Sequence, residues 1–175
     1  MKTFLKGFCI GLLSLSLLGL LWFLVLQPGL TNREAQALKE EYAQPLPGEP
    51  SGELPAGKEQ AASLVNLSAL QAEYPDIKGW ISIPGTCVDY PVLQSSADEP
   101  EYYLRRTYKG EHRTAGSIFF QWDCSPESRN LVVYGHNMSD GTMFAVLQKM
   151  ADETFRKEHS QILLQTSDGL RKYQV

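Results

Sequence analysis

The sequence has few cysteines and no excess of basic residues. Three cysteines in 175 residues do not make a disulfide framework, although pairing of Cys87 with Cys124 stays open. The net charge of −4 argues against nucleic acid as a partner, which would require a basic patch. His112 and His159 have no histidine, cysteine or carboxylate at metal-ligand spacing, so neither a metal site nor a cofactor is predicted.

Acidic residues are absent from residues 1–30, which carry Lys2 and Lys6. Residues 7–26 form an uncharged stretch that would span about 30 Å as a helix, the thickness of a bilayer core. No Ala-x-Ala cleavage pattern follows it, so we predict an uncleaved transmembrane anchor in which Cys9 is an apolar filler. Because the lysines precede the stretch, residues 1–6 are expected in the cytoplasm and the chain after Pro28 outside, as a single-pass protein of the cell membrane.

Residues 27–61 are predicted to separate this anchor from a folded domain. A helix is predicted over residues 31–43, capped by Thr31 or Asn32, but its apolar stripe is thin and a solvated stalk is equally compatible. Residues 44–57 contain four prolines and three glycines, which is typical of an extended linker.

Residues 62–175 are predicted to form a mainly β domain with short helices. A first helix begins at Asn66 or Ser68 and ends at Tyr74, before a proline. The period-2 and apolar patterns predict strands, with Pro91 marking an edge or a bulge, over residues 80–83, 87–93, 116–122, 131–134, 162–166 and 170–175. Two helical stretches, 142–150 and 152–159, come before the last two strands. Strands this short and closely spaced suggest a barrel or a sandwich.

His136 is the strongest candidate for chemistry. It follows Gly135 at the end of the apolar segment 131–134, which is read as a buried strand. A histidine placed there is held rigidly and can open into a cleft, and an imidazole titrates near neutral pH. Taken alone, such a histidine is more often structural than catalytic.

Four segments make a catalytic role for His136 more favoured than a structural one. Together and in this order they resemble class B sortases, which are membrane-anchored cysteine transpeptidases. They are Tyr74–Ile81 with Gly85–Val92, Glu101–Leu104, Ala115–Phe119, and Tyr134-Gly135-His136-Asn137-Met138. The resemblance covers residues 62–175. It implies a sortase-like closed β-barrel, incomplete in this chain, preceded by the transmembrane helix.

The resemblance also implies a mechanism with three groups. A cysteine attacks a threonine carbonyl in the C-terminal sorting signal of a surface protein or pilin, and an arginine stabilises the oxyanion. His136 matches the family histidine, the general acid or base. The acceptor is the amine of a peptidoglycan precursor or of a pilin, at the cell wall of a Gram-positive cell.

The family's cysteine and arginine match nothing in residues 1–175. Cys87 and Cys124 are read as incidental, Arg105 and Arg106 as surface charge, and His112 as solvated. His159 ends a helix, where a cation suits the dipole.

Three hypotheses follow from this partial match. The first is a sortase truncated at its C-terminus, inactive and poorly soluble by itself. The second is a non-enzymatic half-barrel that acts only by pairing with a partner polypeptide, and the third is an unrelated membrane-anchored β-domain. The sorting signal and the cargo stay open in all three.

Overall fold

The computed structural model of the chain describes residues 11–19, 27–44 and 64–175. The predicted cytoplasmic residues 1–6, Cys9, both ends of the anchor 7–26, and nearly all of the linker 44–57 lie outside these ranges. Residues 11–19 are helical and expose their leucines. Within the described ranges, no helix has both the length and the apolar character needed to cross a membrane.

The helix predicted over residues 31–43 is confirmed, but it begins earlier than expected, so Thr31 and Asn32 lie inside it and do not cap it. Helix α1 is Gln27–Glu41, and its first turn includes Pro28, a residue tolerated there because the first amides of a helix have no partner. Its thin apolar stripe packs on the rest of the protein, with Ala35 and Leu38 5% and 3% exposed. Strand β1, Ala43–Gln44, follows and pairs with β2, Leu64–Val65.

Helix α2, Leu67–Glu73, has the predicted bounds. The Asn66 side chain caps it by accepting a hydrogen bond from the amide of Ala69 at 3.1 Å, which satisfies one of the free amides of the first turn. The helix ends at Tyr74, whose amide donates to the Leu70 carbonyl.

A curled six-stranded sheet forms the body of the described structure, consistent with the predicted mainly β class. Its strands are β3 (Ile77–Ser82), β4 (Asp89–Gln94), β5 (Ile118–Phe120), β6 (Val133–Tyr134), β7 (Gln161–Thr166) and β8 (Gly169–Gln174). They lie in the order β6-β5-β4-β3-β7-β8. All pairs are antiparallel except β4 with β5. The predicted hairpin at Asp168-Gly169 joins β7 to β8.

Pro91 lies in an inner strand, so the prediction that it marks an edge is wrong. Pro91 pairs with Trp80 of β3, whereas pairing with β5 begins only at Val92. One side of the strand is therefore unpaired at Pro91, where its missing amide hydrogen breaks no ladder bond.

Two hydrophobic cores cover the two faces of the sheet. Because successive side chains of a strand point to opposite faces, Ile118 and Phe120 enter one core while Phe119 enters the other. The first core also contains Met143 and lies beside the segment that follows His136. The second packs against α1 and α2.

Two predictions about the second half of the chain were wrong. The segment 131–134 was expected to be buried, but Tyr134 is 44% exposed, because β6 pairs with β5 alone in the described sheet. The helix expected over 142–150 is a 3₁₀ helix, Ala145–Ala151, and Leu147, assigned to its apolar face, is 38% exposed. The helix after it, α3, is Glu153–Glu158, close to expectation.

Candidate active site around His136

The backbone at His136 is held in place by close packing on the residue before it. A Cβ atom added to Gly135 would lie 2.3 Å from Cδ1 of Ile118 and 2.7 Å from the ring of Phe144. Only glycine allows these two side chains to approach the backbone so closely. The backbone that leads into His136 at the end of β6 is therefore fixed in position.

The segment after His136 returns to it as a closed loop. The amide of Phe144 donates to the carbonyl of His136 at 2.9 Å, and Asn137 forms an antiparallel bridge with Met143. Asp140 closes the tip by accepting from the amide and the hydroxyl of Thr142 at 3.0 and 2.7 Å. The carbonyl of His136 is thus fixed by the far end of the same loop.

The imidazole of His136 is half-buried and bonded through one nitrogen. Its Nε2 lies 2.8 Å from the carbonyl oxygen of Leu104. A carbonyl can only accept, so Nε2 carries the hydrogen and donates it. In the neutral ring, Nδ1 then holds the free lone pair, and it has no hydrogen-bond partner among the described residues.

The carbonyl of Leu104 is itself held by its surroundings. Leu104 lies in a 3₁₀ helix, Tyr102–Arg105, and the Tyr103 hydroxyl donates to Asp76 at 2.5 Å. Gly116, at a φ of +58°, packs so closely that an added Cβ would lie 2.3 Å from the Leu104 oxygen. The acceptor for His136 is therefore part of a rigid loop.

A groove of about 300 Å³ lies beside this loop. It is lined by Pro100, Glu101, Leu104, Phe119, Gln121, Trp122 and Tyr134. Trp122 and Tyr134 are 49% and 44% exposed, and the Tyr134 hydroxyl donates to Gln121 at 3.0 Å. Exposed aromatic rings beside a histidine suit the binding of an extended peptide.

This groove was not predicted from the sequence. Its walls come from residues about 30 positions apart, and Phe119 meets Tyr134 only through the register of β5 with β6. Trp122 and Tyr134, aromatic residues at strand ends, could have indicated the groove. In the sequence, however, apolar residues in strands are interpreted as part of the buried core.

A second, larger depression of about 420 Å³ opens between β6 and the β7–β8 hairpin. Its lining is mainly apolar: Ile81, Ile83, Leu131, Val133, Phe144, Leu147, Ile162, Leu164 and Tyr173, with Arg129 and Asn130 at the side. It reaches Phe144, which packs against Gly135.

Neither thiol forms a hydrogen bond with the His136 imidazole in the described structure. Cys87 contacts the carbonyl of Gly141 at 3.2 Å and Cys124 that of Asn130 at 3.6 Å, and both are free rather than paired. Burial raises the pKa of the Cys87 thiol, whereas a nucleophilic cysteine needs a lowered one.

The other candidates have separate surroundings. His159 Nδ1 donates to the Pro84 carbonyl at 2.9 Å, and His112 is exposed opposite Arg106. Arg106 stacks over the Tyr102 ring at 4.5 Å, while Arg105 reaches the carbonyl of Thr114. Across residues 11–19, 27–44 and 64–175, no three histidine, cysteine or carboxylate side chains gather as a metal site would require.

The pattern of the sortase domain family matches residues 81–175. The chain therefore belongs to the sortase family. Within that family its similarities are to class B. Sortase B of Listeria monocytogenes is 41% identical over 111 residues, which are 62% of this chain and 44% of that protein.

Solved structures similar to this chain are also class B sortases. Sortase B from Bacillus anthracis is 34% identical with a TM-score of 0.62, covering 82% of this chain and 62% of that one. A Staphylococcus aureus sortase B–substrate complex is 34% identical with a TM-score of 0.57, covering 62% of this chain and 50% of that one. The chain thus spans less than half the length of the curated relatives it matches.

Proposed function

We propose that this chain supplies the histidine half of a class B sortase active site, for cleaving a sorting signal and transferring the protein to an amine. The observation that carries the proposal is the state of His136. Its Nε2 is committed to the Leu104 carbonyl, which leaves Nδ1 as the atom that exchanges protons. The family match over residues 81–175 supports the same chemistry.

In this mechanism, a cysteine thiolate adds to the threonine carbonyl of the signal, and an arginine stabilises the oxyanion. The C–N bond breaks as His136, protonated at Nδ1, gives its proton to the leaving amine. The thioacyl intermediate is then attacked by the acceptor amine, whose proton returns to Nδ1 as the cysteine leaves. The acceptor is the amine of a peptidoglycan precursor or of a pilin.

The cysteine and arginine have no match in residues 1–175, so we propose that a further segment contributes them. The 175-residue chain alone is then inactive. Cys87 lacks the surroundings of a nucleophile, because its thiol donates to the Gly141 carbonyl and burial raises its pKa.

The aromatic groove beside Leu104 is the proposed place for the sorting signal. Leu104 lines the groove and also accepts the His136 hydrogen bond, so a peptide bound there contacts the residue that holds the imidazole. The S. aureus structure named above is a substrate complex, which supports a peptide-binding role for this fold.

The test is a peptide-cleavage assay on the 175-residue chain and on the product of the complete coding locus. We expect no turnover from the chain alone. In an active product, His136→Ala should lower turnover about 10²–10⁴-fold, the usual contribution of general acid–base catalysis. His112→Ala, which changes an exposed histidine, is the matched control and should leave turnover unchanged. Cleavage by the chain alone, or full activity of His136→Ala, would contradict the proposal.

We further propose that residues 7–26 anchor the protein in the cell membrane with its N-terminus inside. The support is the uncharged stretch after Lys2 and Lys6. Protease added to intact cells should remove the folded domain, whereas protection of that domain would argue against this orientation.

An alternative function is suggested by the apolar depression between β6 and the β7–β8 hairpin. Both outer strands offer an unpaired edge in the described sheet, and such edges accept an added strand. The chain would then act by pairing with a partner polypeptide. Purification of the tagged chain together with a polypeptide that carries the cysteine segment would favour this function, and a chain that purifies alone would not.

A further inference from the structure

The hydroxyl group of Tyr90 connects helix α1 to the loop that follows His136. Tyr90 lies in β4 and is 3% exposed. Its hydroxyl donates to Oδ1 of Asn32 on α1, and it accepts from the amide of Met143 at 3.1 Å. A tyrosine hydroxyl can make both bonds at once. One buried oxygen therefore joins three segments that are more than fifty residues apart in sequence.

The Tyr90 bond supports Met143 in an unfavourable backbone conformation. Its φ is +56°, a left-handed conformation that a residue with a side chain rarely adopts without support. Its side chain is 1% exposed, and its neighbour Phe144 donates to the His136 carbonyl and packs against Gly135. Phe144 is therefore the one residue that connects the backbone of Met143 to that of His136.

Helix α1 also supports the acceptor of the imidazole. Glu34 forms two hydrogen bonds with the guanidinium of Arg113, at 2.6 and 2.8 Å. The amide of Arg113 donates to the carbonyl of Arg105 at 2.9 Å. Arg105 follows Leu104, whose carbonyl accepts from His136. The helix is thus linked to both structures that hold the histidine, through Tyr90 on one side and Arg113 on the other.

We propose that Tyr90, bonded to Asn32 of the docked α1 helix, is a positioning residue for His136. Docking of α1 holds the Met143 turn in its left-handed conformation, and the turn holds the imidazole on Leu104. Burial raises the pKa of Tyr90, so the hydroxyl keeps its proton at physiological pH. The chemical use of this arrangement rests on the proposed function, but the positioning itself can be measured without turnover.

The test is Tyr90→Phe in the full chain, followed by NMR. Removing the hydroxyl should accelerate amide exchange at Met143 about fivefold, as expected for the loss of one hydrogen bond. The side-chain nitrogen shifts of His136 should change from a single Nε2–H form to an average of both tautomers. A purely structural role for Tyr90 would alter stability without changing the tautomer.

Tyr42→Phe is the matched control. Its hydroxyl bonds to Glu73 of α2 at 2.5 Å, just after the C-terminal end of α1, so its removal deletes a tyrosine hydrogen bond that involves neither Asn32 nor Met143. It should leave the His136 and Met143 signals unchanged. Equal changes in Tyr42→Phe and Tyr90→Phe would overturn the proposal.

Asn32→Ala gives a second measurement that keeps the buried ring and its hydroxyl. It should move the same signals in the same direction, by a smaller amount. Wild-type signals in Asn32→Ala and Tyr90→Phe would overturn the proposal. Full peptide turnover by His136→Ala together with a shifted imidazole in Tyr90→Phe would uphold the positioning and reject the catalytic role.

Discussion

The inner and outer strands of the sheet differ in a way that their sequences do not suggest. Inner strands β3 and β4 are buried along most of their length, although β4 contains an aspartate and a proline. Outer strand β6 ends the apolar run 131–134 but is only partly covered, and the more polar β8 is exposed at nearly every position. Burial of β6 therefore follows its number of neighbouring strands rather than the hydrophobicity of the strand itself.

Asp89 shows how an inner strand accommodates a charge. Its two carboxylate oxygens accept from Lys39 Nζ at 2.7 Å and from the indole nitrogen of Trp80 at 2.8 Å. Lys39 comes from α1, so the helix supplies the partner that a partly buried carboxylate requires. On β8, by contrast, Arg171 reaches Asp168 at 3.3 Å at the exposed tip of the hairpin.

The largest expected effect compares the same substitution in the two regions. Leu93 of β4 is 0% exposed and Leu170 of β8 is 37% exposed. Leu93→Ala should lower the free energy of unfolding by about 2–5 kcal/mol, through lost transfer energy and a cavity. Leu170→Ala should lower it by less than about 1 kcal/mol. Urea unfolding measures both, and similar losses would remove the distinction between inner and outer strands.

A smaller effect is expected from the two aspartates. Asp89→Ala leaves Lys39 and the Trp80 indole without their acceptor, and it should lower the free energy of unfolding by about 1.5–3 kcal/mol. Asp168→Ala removes an exposed pair and should lower it by less than about 0.5 kcal/mol. Thermal unfolding of the two variants checks the order. A larger loss in Asp168→Ala would show that the β7–β8 hairpin, not the docked helix, limits stability.

The smallest effect on stability is expected at the open edge. Tyr173→Lys on β8, where Tyr173 is 42% exposed, should change the free energy of unfolding by less than about 0.5 kcal/mol. It should nevertheless slow aggregation, because a lysine on an edge strand opposes pairing with another chain. Light scattering during incubation measures this. Thr154→Lys adds the same charge on α3, away from the edge, and an equal delay would implicate net charge instead.

Much of the fold could be predicted from local pattern. The Asn66 cap, the end of α2 at Tyr74 and the hairpin at Asp168-Gly169 depend on neighbouring residues, so reading them in sequence order was sufficient. The exposed outer strand β6 was not predicted, because an apolar run has the same pattern whether or not a neighbour covers it.

The candidate site was only half predictable. His136 was identified by its place after an apolar strand and by its family resemblance, and its catalytic role stays a prediction. Its acceptor, the Leu104 carbonyl, could not be predicted from the sequence, because every residue has a backbone carbonyl. The bond between Tyr90 and Met143 was also invisible, since it depends on how β4 packs against a loop more than fifty residues later.

The sequence by itself determined the Asn66 cap, the β7–β8 turn, most strands and the candidacy of His136, because these depend on residues close together in the chain. Only the tertiary structure decided which strands lie inside the sheet, which nitrogen of His136 carries the hydrogen, and that α1 docks against β4 instead of standing in solvent. The physical reason is that burial and hydrogen-bond partners are set by segments far apart in sequence. The pairing of Glu34 with Arg113 and of Asn32 with Tyr90 exists only after the chain has folded.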